Sequence, residues 1–182
     1  MENKGFWGNN LSIFGLIIAI NSALTVTSIV GQHDCKADAK GRIILPTSLK
    51  NKLLPYMGDD FVIKRSMDED CLELYPGVKF DELMGQISSH PNKGKKFRQW
   101  LRRFTAGLKD DVTIDKNTGR LQIPKNLIGF AGIEKEVVLN AADNMIEIWD
   151  KARYENNING MSDDDYDAFS EEVFNAGGSP IS

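Results

Sequence analysis

Asp38-Ala-Lys-Gly-Arg42-Ile-Ile-Leu-Pro46-Thr-Ser-Leu49 is the stretch on which the fold turns, because it comes back as Asp115-Lys-Asn-Thr-Gly-Arg120-Leu-Gln-Ile-Pro124-Lys-Asn-Leu127. Each copy runs Asp, a short polar turn, Gly-Arg, an apolar strand piece, Pro, and then a Leu about one helical turn on. A second matched pair follows, Leu72-Glu-Leu-Tyr-Pro76 and Ile146-Glu-Ile-Trp-Asp150, alternating apolar and polar with the period of a strand. Self-similarity of this kind means two modules in tandem.

Each module has a physical reading. The Asp side chain caps a tight reversal and the Gly tolerates positive φ, so Lys40 and Arg42 stand near the tip of the first loop, and Lys116 and Arg120 in the second. Ile43 to Leu45 continues as a strand. Pro46 lacks an N–H and suits the first turn of a helix on which Leu49, Leu53 and Leu54 share a face; Pro124 with Leu127, Ile128 and Phe130 repeats the design. Two strands follow in each module, Phe61 to Arg65 with Cys71 to Tyr75, and Val137 to Asn140 with Met145 to Trp149, the later pair joined by Ala142-Asp143-Asn144. A helix over Val78 to Ser88, with Phe80, Leu83, Met84 and Ile87 on one side, closes the first module. The expected class is α+β and β-rich.

Charge separates the remaining segments. The net charge of −4 argues against a nucleic-acid protein, yet Val26 to Tyr154 carries 21 Lys and Arg against 18 Asp and Glu, while residues 155–182 hold seven acids and no base. The body is basic, and the acidic tail reads as a mobile solvated segment or a partner motif. No acid occurs from His90 through Lys109, where Lys93, Lys95, Lys96, Arg98, Arg102, Arg103 and Lys109 interleave with Phe97, Trp100, Leu101 and Phe104. That spacing predicts a basic amphipathic helix connecting the modules over 91–111. Its charged face is either simply solvated or a phosphate contact, with Arg102 and Arg103 the candidates.

Enzyme chemistry lacks its parts. His33 and His90 are the only histidines, and neither a phosphate-cradling glycine loop nor a ligand-spaced Cys and His set is present, so no catalytic residue, metal or cofactor is expected. Cys35 and Cys71 have no C-x-x-C spacing and suit free thiols in a reducing compartment.

Six ordered motifs carry a resemblance: Gly31-x-x-x-x-Lys36-x-Asp38-x-Lys40-Gly41-Arg42-Ile-x-Leu-Pro46, Leu72-x-Leu-Tyr-Pro76, Arg102-Arg103-Phe104-x-Ala106-Gly107, Gly119-Arg120-x-x-Ile-Pro124, Ala131-Gly132-Ile-x-Lys135-Glu136 and Ile146-Glu147-Ile148-Trp149-Asp150. By them the chain resembles the MraZ family from Val26 to about Tyr154. The resemblance implies tandem duplicated AbrB-like modules of swapped-hairpin or double-psi type with short helices, at 26–90 and 112–154, in a ring-shaped homo-oligomer. It further implies a cytoplasmic, nucleoid-associated repressor that binds direct repeats of promoter DNA upstream of the division and cell-wall gene cluster, its own promoter included. In that family the Asp-x-x-x-Arg loop carries the DNA contact, and Asp38 to Arg42 matches it residue by residue. Arg42 would then reach a base edge or phosphate, Lys40 would act as a phosphate point charge, and Asp38 would orient Arg42. Spacing alone leaves a plainer reading open, in which Asp38 caps its turn and pairs locally. The second loop departs from the pattern, with one residue more between Asp115 and Arg120, which puts the role of Asp115 in question.

Residues 1–25 have two readings. No charged residue occurs between Gly5 and His33, and Leu11 to Val30 is rich in Leu, Ile and Val at roughly the length that crosses a bilayer. It is either a hydrophobic leader, which would make the protein a membrane-tethered scaffold, or sequence upstream of the true start. Family members begin near the position of Val26, and the codon GTG reads as valine or as an initiator, so a start at Val26 with no membrane association is the expectation. N-terminal sequencing of the protein from native cells should begin at position 26; a native chain retaining Phe6 or Trp7 would overturn it.

Overall fold

Eight strands and six helices follow an order that occurs twice among residues 29–176, the part of the chain described by a computed structural model. The first repeat comprises β1 (Gly31–Lys36), β2 (Arg42–Ile44), α1 (Thr47–Leu53), β3 (Phe61–Arg65), β4 (Leu72–Pro76), α2 (Gly77–Ser88) and α3 (Lys95–Phe104). The second comprises β5 (Lys109–Val112), β6 (Arg120–Gln122), α4 (Lys125–Ala131), β7 (Glu136–Ala142), β8 (Met145–Asp150), α5 (Lys151–Ile158) and α6 (Asp163–Ala176). All of the hydrophobic stretch but Ile29 and Val30, and the Val26 start, lie outside the described residues.

The repeats are interlocked rather than strung side by side. One antiparallel sheet has the order β1-β7-β8-β4-β3-β5, and β2 pairs with β6 in a separate two-stranded ribbon. β1 therefore pairs with the second repeat and β5 with the first, the swapped-hairpin arrangement closed within one chain. Exchanging the repeats maps the strand order onto itself. The pseudo-two-fold axis passes between Glu73 and Glu147 in the large sheet and between Ile43 and Leu121 in the ribbon, each a pair of equivalent residues in register.

Strand patterns follow from what covers each face. β3 and β4 are central and covered on both sides, so apart from Arg65 at the end of β3 their residues are buried; β1, at an edge, turns Gln32, Asp34 and Lys36 outward, and such charges discourage edge-to-edge pairing. On the inner face Phe61, Ile63, Leu72 and Leu74 share one core with Leu139, Ile148, Leu49, Leu53, Leu127 and the ribbon residues Ile43 and Leu121. Each such side chain contributes about 1.5–3 kcal/mol of burial. On the outer face α2 and α3 cover Val62 and Tyr75 with Phe80 and Phe104, while α5 covers Val138 and Trp149 with Tyr154. The equivalence extends to the aromatics: Tyr75–Phe80 and Trp149–Tyr154 both meet edge to face, at 5.5 and 5.8 Å.

The facing glutamates at the axis are like charges opposite one another, a destabilising arrangement unless each is compensated. Glu73 pairs with buried Lys64 at 2.5 Å and accepts from Tyr75 Oη at 2.7 Å, with the Phe104 ring 4.5 Å from the ammonium. Glu147 instead accepts from Asn140 Nδ2 at 2.9 Å and Trp149 Nε1 at 3.1 Å.

Two expectations need correction. The ribbon strand begins at Arg42 rather than Ile43, because the Arg42 carbonyl accepts from the Asp38 N–H and closes the loop there. Leu54 does not share the buried face of α1: Pro55 turns the chain into a 3-10 turn (Leu54–Tyr56), leaving Leu54 52% exposed while Leu49 and Leu53 are fully buried. The acidic segment, read from the sequence as a mobile solvated segment or a partner motif, carries the helix α6. Ser162 Oγ accepts from the Asp165 N–H at 3.1 Å and donates to its carboxylate at 2.7 Å, and Asp163, Asp164 and Asp165 complement the positive end of the helix.

Lys64→Ala would leave Glu73 uncompensated in the sheet and is expected to cost about 3–5 kcal/mol in urea unfolding, whereas the paired change Lys64→Met with Glu73→Leu should cost far less.

Candidate nucleic-acid interface

The ribbon brings both repeated loops into one place. Its register sets Arg42 opposite Gln122, Ile43 opposite Leu121 and Ile44 opposite Arg120. With a period of two, Ile43 and Leu121 face the core and are fully buried, while Arg42, Ile44, Arg120 and Gln122 share the outward face. The strands are antiparallel, so the loop before Arg42 and the loop before Arg120 project from opposite ends of one short platform.

The first loop is a carboxylate clamp. Asp38 Oδ1 accepts from the backbone N–H of Lys40 at 2.8 Å and of Arg42 at 3.0 Å, while Oδ2 receives Arg42 Nε and Nη2, both at 2.6 Å. The Arg42 side-chain bond, followed by its backbone N–H, holds the Asp38 carboxyl down at about 2. One edge of the guanidinium is thereby fixed and the other is left to a ligand. Gly41 adopts φ +74°, and a Cβ there would collide with the Ile128 side chain of α4, so the turn needs glycine.

The second loop is built differently, and its extra residue explains why. Asp115 Oδ1 accepts from the N–H of Asn117 at 3.0 Å, the N–H of Thr118 at 2.6 Å and Thr118 Oγ1 at 2.8 Å. Thr118 lowers the Asp115 carboxyl, and Arg120 acts on it only through its charge. The aspartate thus caps the turn, as the plainer reading of these loops has it, and the Arg120 side chain is exposed without that clamp. Lys40 and Lys116 are exposed on the respective loops.

Each loop is braced by the other repeat. The Ile123 N–H donates to Gly41 O at 3.0 Å, and the Leu45 N–H donates to Gly119 O at 2.9 Å. Gln122 Nε2 donates to Lys40 O at 2.8 Å, and Lys50 Nζ of α1 donates to Asn117 O at 2.9 Å. Gln122, Lys50 and the outward Ile44 were not singled out from sequence; the alternation Arg42-Ile-Ile44 and Arg120-Leu-Gln122 marks two of them as outward, whereas nothing local marks Lys50.

Arg102 and Arg103 do not join this site. They are exposed on α3, which Phe104 anchors to the outer face of the sheet on Val62, Tyr75 and Phe80, whereas the ribbon packs on the inner face. Arg103 instead lines an open pocket with Arg65 and with Phe130 of α4. Among the described residues no helix is long and apolar enough to cross a membrane.

Fold and site define a class: a duplicated swapped-hairpin protein that gathers two basic loops on one ribbon. The chain matches the family described as "MraZ protein, putative antitoxin-like" over residues 29–103 and again over 108–175. It is 50% identical over 146 residues to the Transcriptional regulator MraZ of Christiangramia forsetii, covering 80% of this chain and 92% of the relative. Identity to the protein of that name from Flavobacterium psychrophilum is 45% over 148 residues, covering 81% and 92% of the two chains, and to that from Acetivibrio thermocellus 34% over 125 residues, covering 69% and 82%. The chain belongs to the MraZ family. These relatives are named as regulators of transcription, not as enzymes.

Because the Asp38 carboxyl is depressed only in the folded loop, the stability it adds is present above the ordinary value near 3.9 and lost as pH falls through about 2. An NMR titration of the Asp38 carboxyl carbon is expected to give that low midpoint, and in Arg42→Ala to return it toward the ordinary value.

Proposed function

We propose that this transcriptional regulator binds DNA along the β2–β6 ribbon, and that by occupying direct repeats it represses the division and cell-wall gene cluster together with its own promoter. The observation that carries the reading is the outward pair Arg42 and Arg120 on one short ribbon, with Lys40 and Lys116 on the flanking loops. A two-stranded ribbon fits the major groove of B-DNA, about 12 Å wide. The free edge of Arg42, its other edge held by Asp38, suits the paired acceptors of a guanine or a phosphate. Arg120 supplies a second, less constrained contact, and Lys40 and Lys116 serve as point charges for phosphates. Ile44 lies exposed between them and offers an apolar contact for a thymine methyl.

One platform makes few contacts, so several copies would engage successive repeats, each raising the effective concentration of the next. The working form is then a homo-oligomer, a ring in the family's manner, acting at the nucleoid in the cytoplasm.

Fluorescence anisotropy with the chain's own upstream DNA, across a salt series and beside a scrambled repeat, tests the reading. Arg42→Ala is expected to weaken binding about 10- to 100-fold and to flatten the preference for the native repeat; Lys40→Ala should weaken all DNAs alike and reduce the salt slope by about one. Equal, weak binding of the unaltered chain to native and scrambled DNA would sink it.

A further inference from the structure

The one-residue difference between the two ribbon loops changes what each aspartate holds. In the first, the Gly41 N–H donates to Asp38 O at 2.8 Å, three residues back; in the second, the Gly119 N–H donates to Asp115 O at 2.7 Å, four residues back. The wider turn contains an additional peptide unit, whose polar groups need partners. The peptide joining Asn117 to Thr118 is gripped at both ends by charge: its carbonyl accepts from Lys50 Nζ at 2.9 Å, and its N–H donates to Asp115 Oδ1 at 2.6 Å. Lys50 and Asp115 are thus opposite charges joined through one polarised amide, each bond strengthening the other.

Lys50 reaches this loop from α1, in the other repeat. Four residues after Pro46, it is the counterpart of Ile128, four residues after Pro124 on α4. Both side chains fill the same kind of space. Ile128 lies where a Cβ on Gly41 would stand, and Lys50 Cδ lies 3.1 Å from where a Cβ on Gly119 would stand. Only Lys50 continues past its glycine to a charge, and only the longer loop offers a carbonyl to receive it.

We propose that Lys50 is the positioning residue of the second loop, taking for Asp115 the part that Arg42 takes for Asp38. In the first loop the carboxylate binds the arginine itself, so the clamp orients Arg42 and also occupies one edge of it. In the second, Lys50 answers the carboxylate through the backbone. Arg120 has no ion pair among the described residues and keeps its whole guanidinium for the duplex. This deepens the DNA reading of the ribbon and rests on it: Lys50 touches no phosphate, and acts by holding the turn that carries Lys116 and Arg120.

Lys50→Met keeps an apolar stem against Gly119 and removes the charge, and Lys50→Arg restores a donor. Amide NMR of the full chain, with circular dichroism to check folding, reads the loop without DNA. Lys50→Met is expected to shift the Thr118 amide and hasten its hydrogen exchange, leaving the Lys40 and Arg42 amides in place, and Lys50→Arg should return Thr118 toward its original position. Anisotropy with the native repeat reads the consequence for binding. Lys50→Met is expected to weaken binding about tenfold, as the loss of one charge-assisted hydrogen bond gives. The same loss should appear in an Arg42→Ala background and vanish in a chain already carrying Lys116→Ala with Arg120→Ala. A Thr118 amide that does not move would overturn the proposal. So would undiminished binding by Lys50→Met, or a loss that persists without Lys116 and Arg120, as a direct phosphate contact would give. Absence of repeat-dependent binding in the unaltered chain instead removes the DNA reading, while the Thr118 amide still decides whether Lys50 holds the loop.

Discussion

The pairing of Ile43 with Leu121, both fully buried at the centre of the β2–β6 ribbon, is the contact on which the rest of the site depends. It presses the two repeats together at their loops and sets which residues of each strand face out. A slip by one residue would bury Arg42 and Arg120 and expose the isoleucine and leucine, so the inner core holds the register. The loops inherit that constraint through the Ile123 and Leu45 amides, each donated to the glycine carbonyl of the opposite loop. Basic side chains on such a platform keep a fixed spacing.

Encoding a pseudo-dimer in one chain keeps the symmetry of the backbone while releasing the side chains from it. Facing Glu73 and Glu147 show this at the axis: one is neutralised by Lys64 and the other is hydrogen-bonded by Asn140 and Trp149. At the loops, Asp38 clamps an arginine while Asp115 caps its own turn through Thr118. At the outer helices the divergence reaches opposite charge. A dimer of identical halves would have had to repeat every choice, and could not carry one basic and one acidic outer helix.

Much of this was legible because it is local or periodic. The turn residues Asp38, Gly41, Asp115 and Gly119, the strands around Ile63, Leu74, Leu139 and Ile148, and the helix over α2 all follow from spacing of a few residues. Leu54 misled because helical periodicity continues past it while Pro55 ends the helix. Arg102 and Arg103 are a different case: their charge and aromatic spacing are legible, but the face of the sheet to which α3 docks is chosen by Phe104 on Val62 and Tyr75, a contact invisible in the local pattern.

The sequence by itself determined that the chain is duplicated, that each copy holds an Asp-to-Gly-Arg turn leading into a strand, and that basic and acidic segments are kept apart, since these depend on side-chain type and near spacing. Tertiary structure alone decided that the copies exchange their first strands, that Arg42 and Arg120 share a ribbon, and that Gln122 and Lys50 brace loops far away in the chain. Those outcomes come from burying two apolar faces against each other and from satisfying backbone groups across the repeats, long-range requirements that no local stretch of residues expresses.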